Sequence, residues 1–292
     1  MAVAARRLPR YREEVIWWDR IKIPLFYAVL IGWTIVCITP FWLSLVYSLM
    51  PKEHVFDMPP KLWPHPFSLD NYRVVVTTFE LFPRWLLNST LIAVVVTIVR
   101  TIFCAMGGYA FARLRFPGRN LLFILMLASM MIPPQVTLVP NYLIIAKVFH
   151  LLDNLLAVIL PGITTAFGVF MMTQFYKSIP VELEEAALID GANRFQIFFR
   201  IILPISRAAL ITLALFTFQG SWNEFMWPLI VLQTPENFTL PLGLKWFQSE
   251  YYTLYSIVLA GSLFNSLPII IIFFVFQRYF IRSIAVTGLK GV

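Results

Sequence analysis

The chain has 292 residues, of which 59% are hydrophobic and 13% charged, and its mean hydropathy of +0.77 excludes an ordinary water-soluble domain. Its 23 Lys and Arg against 15 Asp and Glu leave a formal charge of +8. In a soluble protein that excess points to nucleic acid, but in so apolar a chain it points to a membrane whose untranslocated face keeps the basic residues.

A membrane-crossing helix needs about 20 mostly apolar residues. Six stretches qualify, approximately 23–50, 85–110, 121–142, 155–176, 207–232 and 255–276. The fold class is therefore all-α, a polytopic integral membrane protein with six transmembrane helices. Its organisation reads as 1–84 (N-terminal segment, first span and outer loop), 85–282 (a five-helix core carrying a polar loop at 177–205) and a tail at 283–292.

The N-terminal segment carries Arg6, Arg7, Arg10, Arg12, Arg20 and Lys22 ahead of an apolar run too long for a signal h-region, so it reads as an uncleaved anchor. Trp17 and Trp18 precede that run as an interfacial lead-in, serving either as belt anchors or in some functional role. Pro40 predicts a tilt or kink in the first span. The segment 51–84 follows, with Pro51, Pro59, Pro60, Pro64 and Pro66, a density that predicts an extended, irregular path. With six spans both termini share a side, and placing them in the cytoplasm puts 16 of the 23 basic residues there against 6 outside.

Arg100 lies inside the second span, where its long side chain is expected to snorkel towards the cytoplasmic headgroups rather than take the other role open to it, contact with substrate. Pro133 and Pro134 in the third span remove backbone donors, tolerable only where protein or water satisfies the freed carbonyls.

The loop between the fourth and fifth spans describes a helix, a break and a second helix. Pro180 suits a first turn, while Glu182, Glu184 and Glu185 lie at the positive end of the helix dipole. Ala186 and Ala187 supply a close-approach face and Gly191 the break. In the second helix Phe195, Phe198, Phe199 and Ile202 fit one apolar face, with Gln196 and Arg200 on another. The pair is either an ordinary interfacial loop or a projection shaped for a groove in a soluble partner.

In the fifth span, Gln219, Trp222, Asn223 and Glu224 combine amide, carboxylate and aromatic groups, the chemistry that recognises sugar hydroxyls and ring faces. Equally, Glu224 reaches the outer headgroups and the tryptophans form a belt. Ser262, Asn265 and Ser266 make one polar face in the sixth span, which lines a cavity or bonds a neighbouring helix. His54, His65 and His150 lack any metal-ligand or hydrolytic spacing, and Cys37 and Cys104 form no framework. No metal site, catalytic residue or chemistry on a bond is expected.

Glu185-Ala186-Ala187, Gly191, Ile201, Leu203 and Pro204 together resemble the EAA motif of ATP-binding cassette (ABC) importer permeases, E-A-A-x3-G-x9-I-x-L-P, with every spacing kept. Seven fixed residues match by chance about once in 10⁸ starting positions at average usage. Asn88-Ser89-Thr90, Gly108 to Arg113 with Phe116-Pro117-Gly118, Leu267-Pro268, Ser68 to Tyr72 and Gly288 to Gly291 are similar to the maltose-type carbohydrate permeases, so that the likeness covers about 68–292.

The resemblance implies a type I ABC importer (MetI-like) permease fold in a bacterial inner membrane. It also implies a second, homologous permease subunit, two ATPase subunits, an extracytoplasmic solute-binding protein, and a carbohydrate or a solute such as glycerol phosphate as cargo. Glu182, Glu184, Glu185, Ala186, Ala187, Asp190, Gly191, Arg194, Ile201, Leu203 and Pro204 then form the ATPase-coupling element. ATP and Mg belong to the partner subunits, since the chain has no G-x-x-x-x-G-K-[ST] of its own. The rivals are an ion-coupled carrier or channel acting without an ATPase, which calls for inverted repeats, and a membrane-embedded enzyme.

Overall fold

The computed structural model describes residues 11–77, 80–245 and 255–288, with side chains described between 21 and 277. Arg6, Arg7, Arg10 and Leu289 to Gly291 fall outside the described residues, as do the side chains of Trp17 and Trp18.

Helix α1 (Tyr11–Ser48) joins the lead-in and the first span into one helix that continues through Pro24 and Pro40. Its side chains from 21 to 42 are exposed and largely apolar, as a lipid-facing span requires. The proline-rich run beyond it is irregular apart from a short 3₁₀ turn at Lys52–His54. It ends at α2 (Asp70–Thr77), where buried Asn71 donates through Nδ2 to the carbonyls of Ser48 and Met50 at 2.8 and 2.7 Å. Those bonds satisfy acceptors that the end of α1 leaves open.

Helix α3 (Phe82–Arg113) is the central span and packs against both the fourth and the fifth. The third span is broken: α4 (Arg119–Ser129) and α5 (Leu138–Leu143), the latter extended by a π turn at Ile144–Val148, flank Pro133 and Pro134. The fourth also changes direction, from α6 (Leu155–Ile159) and a 3₁₀ turn at Leu160–Gly162 into α7 (Ala166–Lys177). Next come α8 (Glu182–Ile189), α9 (Arg194–Ile197), a π turn at Phe198–Ile202, and α10 (Leu203–Ile205).

The fifth span, α11 (Arg207–Trp222), leaves that segment at a bend of 78°. It stops at Trp222 and resumes as α12 (Met226–Val231). The short α13 (Leu240–Leu244) precedes α14 (Tyr255–Gly288), the sixth span. Among the described residues four of the six expected spans are helices of spanning length, and the third and fifth are discontinuous.

At the start of α3 Asn88 and Ser89 hold the loop at 235–240. Asn88 Nδ2 donates to the carbonyls of Glu236 and Phe238, both at 3.0 Å, and Ser89 Oγ accepts from Leu240 N at 2.7 Å. Asp153 fastens the same loop from the other side, accepting from the backbone N–H groups of Gln233 and Thr234 and from the Thr234 hydroxyl. Burial opposes the charge on Asp153, but these donors outweigh it and hold the carboxyl below its usual pKa of 3.8.

Candidate functional site

Two features gather the polar residues, a projection at one end of the bundle and a cavity within it. The projection starts at Glu182, so Pro180 falls ahead of the helix rather than in its first turn. Helix α8 closes in a Schellman arrangement: Ala192 N donates to Ala187 O at 2.9 Å and Gly191 N to Leu188 O at 3.1 Å. Gly191 adopts φ +83°, the left-handed conformation that turns the chain. Asn193 then caps α9 reciprocally with Gln196, in which Asn193 Oδ1 accepts from Gln196 N at 2.9 Å and Gln196 Oε1 from Asn193 N at 2.8 Å. That N-x-x-Q signal is visible in the sequence.

Residues one apart on a helix point about 100° apart, and the loop shows it. Ala187 is buried while Ala186 is exposed, so the two do not share a face. The expected apolar face of α9 is likewise divided: Phe198 and Ile202 turn inward with Ile197, while Phe195 and Phe199 turn outward. The π turn at Phe198–Ile202 shifts the register that a 3.6-residue repeat assumes. Pro204 lies in α10 beside part-buried Ile201 and Leu203, and Ser206 Oγ donates to Ile202 O at 2.6 Å where the chain bends. The outer surface of the projection combines the carboxylates of Glu182, Glu185 and Asp190 with Ile189, 87% exposed, and Phe195, 72% exposed. Large apolar side chains exposed on a polar segment mark an interaction surface.

Glu184 differs from its acidic neighbours. It is 2% exposed and pairs with Arg113 Nε at 2.8 Å and with Arg194 Nη1 at 3.4 Å, while Tyr109 Oη donates to its Oε2 at 3.1 Å. Arg113 also donates through Nη2 to the carbonyls of Tyr176, at 2.7 Å, and Ile179. Tyr109 and Arg113 are absent from the sequence-derived site, because no local spacing relates α3 to α8.

The cavity, of about 810 Å³, lies where the third, fourth and fifth spans are interrupted. Arg100, Gln135, Asn141, Thr164, Glu224 and Trp227 contribute to its lining. Arg100 does not snorkel to headgroups: its Nε donates to the Gly162 carbonyl at the bend of the fourth span, and it lines the cavity. Glu224 sits in the break between α11 and α12, and its Oε1 accepts from Trp227 N at 3.2 Å. Carboxylates are favoured at helix starts.

The other expected pathway residues lie elsewhere. Trp222 is core, 1% exposed, stacked on Phe218 and donating through Nε1 to Asn265 O at 2.8 Å. Ser262 and Ser266 return their hydroxyls to carbonyls of their own helix, Val258 and Ser262. Their polar face, with Asn265, does not line the cavity. Gln219 on α11 and Asn223 just past its end are exposed, outside it.

Residues 101–286 match the family described as binding-protein-dependent transport system inner membrane component. The chain is 36% identical over 278 residues to the arabinooligosaccharides transport system permease protein AraQ of Bacillus subtilis, spanning 93% of this chain and 96% of that one. It is 40% identical over 228 residues to the protein of the same name from Halalkalibacterium halodurans, spanning 78% and 81%. Among solved structures, a chain of a bacterial ABC transporter involved in the import of the acidic polysaccharide alginate superposes with a TM-score of 0.79 at 25% identity, over 96% of this chain and all of that one.

Proposed function

Because the chain belongs to the family of binding-protein-dependent transport system inner membrane components, we propose that it forms half of the translocation pathway of an ATP-driven importer, carrying a carbohydrate delivered by an external solute-binding protein. It is a multi-pass inner-membrane protein. A second, homologous permease completes the pathway, and two ATPase subunits, which hold ATP and Mg, supply the energy. Both termini lie in the cytoplasm, as does the projection at 182–204, in keeping with the basic residues gathered at that end.

The observation that carries this reading is the projection itself. A helix fixed by the Gly191 turn presents Ile189, Phe195 and exposed carboxylates outward, away from the membrane-embedded core. Such a surface fits a groove in a soluble partner, and Glu182, Glu185, Ala186, Asp190 and Arg194 on its outer side meet the ATPase there. Closure of the ATPase pair on ATP then favours one arrangement of the spans, because the seated projection contacts the closed and open pairs differently. Arg100, Gln135, Asn141, Glu224 and Trp227 line the sugar path within this chain. Gln219 on α11 and Asn223 just past its end, both exposed, face it from the side of the second permease.

A cysteine placed at Ile189 or Phe195, in an otherwise cysteine-free chain, tests the docking. It is expected to cross-link to an ATPase cysteine in a nucleotide-dependent manner within the active complex. An active complex that never cross-links at either position would overturn the assignment.

A further inference from the structure

The burial of Glu184 has no counterpart in docking. A carboxylate at the start of a helix serves the helix dipole while remaining in water, as Glu182 and Glu185 do on the same turn. Glu184 is instead withdrawn among three partners from different segments: an ion pair with Arg113 and a hydrogen bond from Tyr109, both at the cytoplasmic end of the second span, and a longer one from Arg194 beyond the Gly191 break. Arg113 is itself nearly buried, and its second limb holds the carbonyls that close the fourth span, at Tyr176 and Ile179.

An apolar contact between the same helices slides at little loss. A charged cluster with several directional bonds has one geometry, and departing from it leaves a buried charge unpaired. The Arg194 contact ties the second limb of the projection to the same carboxylate, so α8 and α9 are fastened together across the glycine that separates them.

We propose that Glu184 and Arg113 are positioning residues for energy coupling, a rigid pin that transmits displacement of the docked projection to the second and fourth spans. The proposal rests on the reading that the projection receives the ATPase. It gives the two limbs of the pin different weights, since Arg113 is enclosed while Arg194 is about half exposed and its contact is longer.

The test uses the complete importer in proteoliposomes, with ATP hydrolysed per sugar imported as the readout and co-purification of the subunits as the measure of assembly. Glu184→Gln keeps the shape and loses the charge, and Arg113→Lys keeps the charge and loses the fork. Both are expected to assemble but to raise ATP spent per sugar by at least about fivefold. Glu184→Asp is expected to recover most of the wild-type ratio.

A wild-type ratio in assembled Glu184→Gln would overturn the pin. If that variant does not assemble, Arg113→Lys decides in the same way: a raised ratio supports the pin, and an unchanged one reduces the cluster to packing. Failure of the wild-type complex to import sugar with ATP would remove the underlying reading and the pin together, an outcome separate from either variant result.

Discussion

Gly108 of α3 lies so close to Met172 of α7 that a Cβ at the glycine would stand 2.6 Å from the Met172 Cβ and 3.0 Å from the Thr173 nitrogen. The second and fourth spans are thereby in near backbone contact, the small-residue packing that drives helix association where lipid is as apolar as leucine. The same two helices frame the Arg113 and Glu184 cluster, so this close crossing lies near the base of the projection.

Gly108→Ala is expected to destabilise the chain by about 1–3 kcal/mol through overpacking. Thermal unfolding in detergent measures it. Because the clash is with a Cβ and a backbone nitrogen, shortening the neighbour in a Gly108→Ala, Met172→Ala double variant should restore little.

At Gly191 the restriction is conformational, since nothing lies within 4 Å of a Cβ built there. Valine at φ +83° should be strained by roughly 1–3 kcal/mol and misdirect the projection. Asparagine, which tolerates the left-handed region, should be accepted. Sugar uptake against ATP hydrolysis, measured for both variants, is expected to show uncoupling in Gly191→Val alone, with membrane insertion intact in each.

Glu224 has two tasks that substitution separates. Glutamine keeps an acceptor for Trp227 N and preserves the start of α12, whereas alanine removes both cap and charge. Glu224→Ala should lower uptake at limiting sugar about tenfold, the effect of losing one charged hydrogen bond of ~1.5 kcal/mol. Glu224→Gln should assemble as wild type and show a smaller loss. An unchanged transport profile in the alanine variant would remove Glu224 from the sugar path.

The Asp153 clasp has a definite pH signature. Its folded pKa lies below the unfolded value, so its stabilisation is fully present above the unfolded pKa, near 3.8, and is lost as pH falls through the folded one. Protection of the Gln233 and Thr234 amides, measured against their intrinsic exchange rates at each pH, should therefore be high at neutral pH and fall only once pH drops through the folded pKa. Asp153→Ala should show low protection at neutral pH already and converge with wild type only below the folded pKa.

The spans and the projection were legible because each depends on local chemistry: apolar length, a glycine at a left-handed turn, acidic residues at a helix start. Pro133 and Pro134 likewise showed the lost backbone donors in the third span, since a missing N–H acts on its own helix, though not that the helix stops there. What escaped depends on residues distant in sequence. Glu184 reads like Glu182 and Glu185 until Arg113 is brought across from α3, and Arg100 reads as a snorkelling residue until the fourth span bends and frees the Gly162 carbonyl. Trp222 reads as a sugar platform, yet Phe218 occupies its ring face and Asn265 its N–H. The face of α9 was misplaced for a geometric reason, because the π turn changes the periodicity on which the reading relied.

Sugar uptake into proteoliposomes tests ATP-driven import most directly, with this chain reconstituted alone and together with its second permease, the ATPases and the solute-binding protein. Uptake is expected only in the complete assembly and only with hydrolysable ATP on the ATPase side. Uptake by the purified chain alone, driven by an ion gradient or by none, would contradict it.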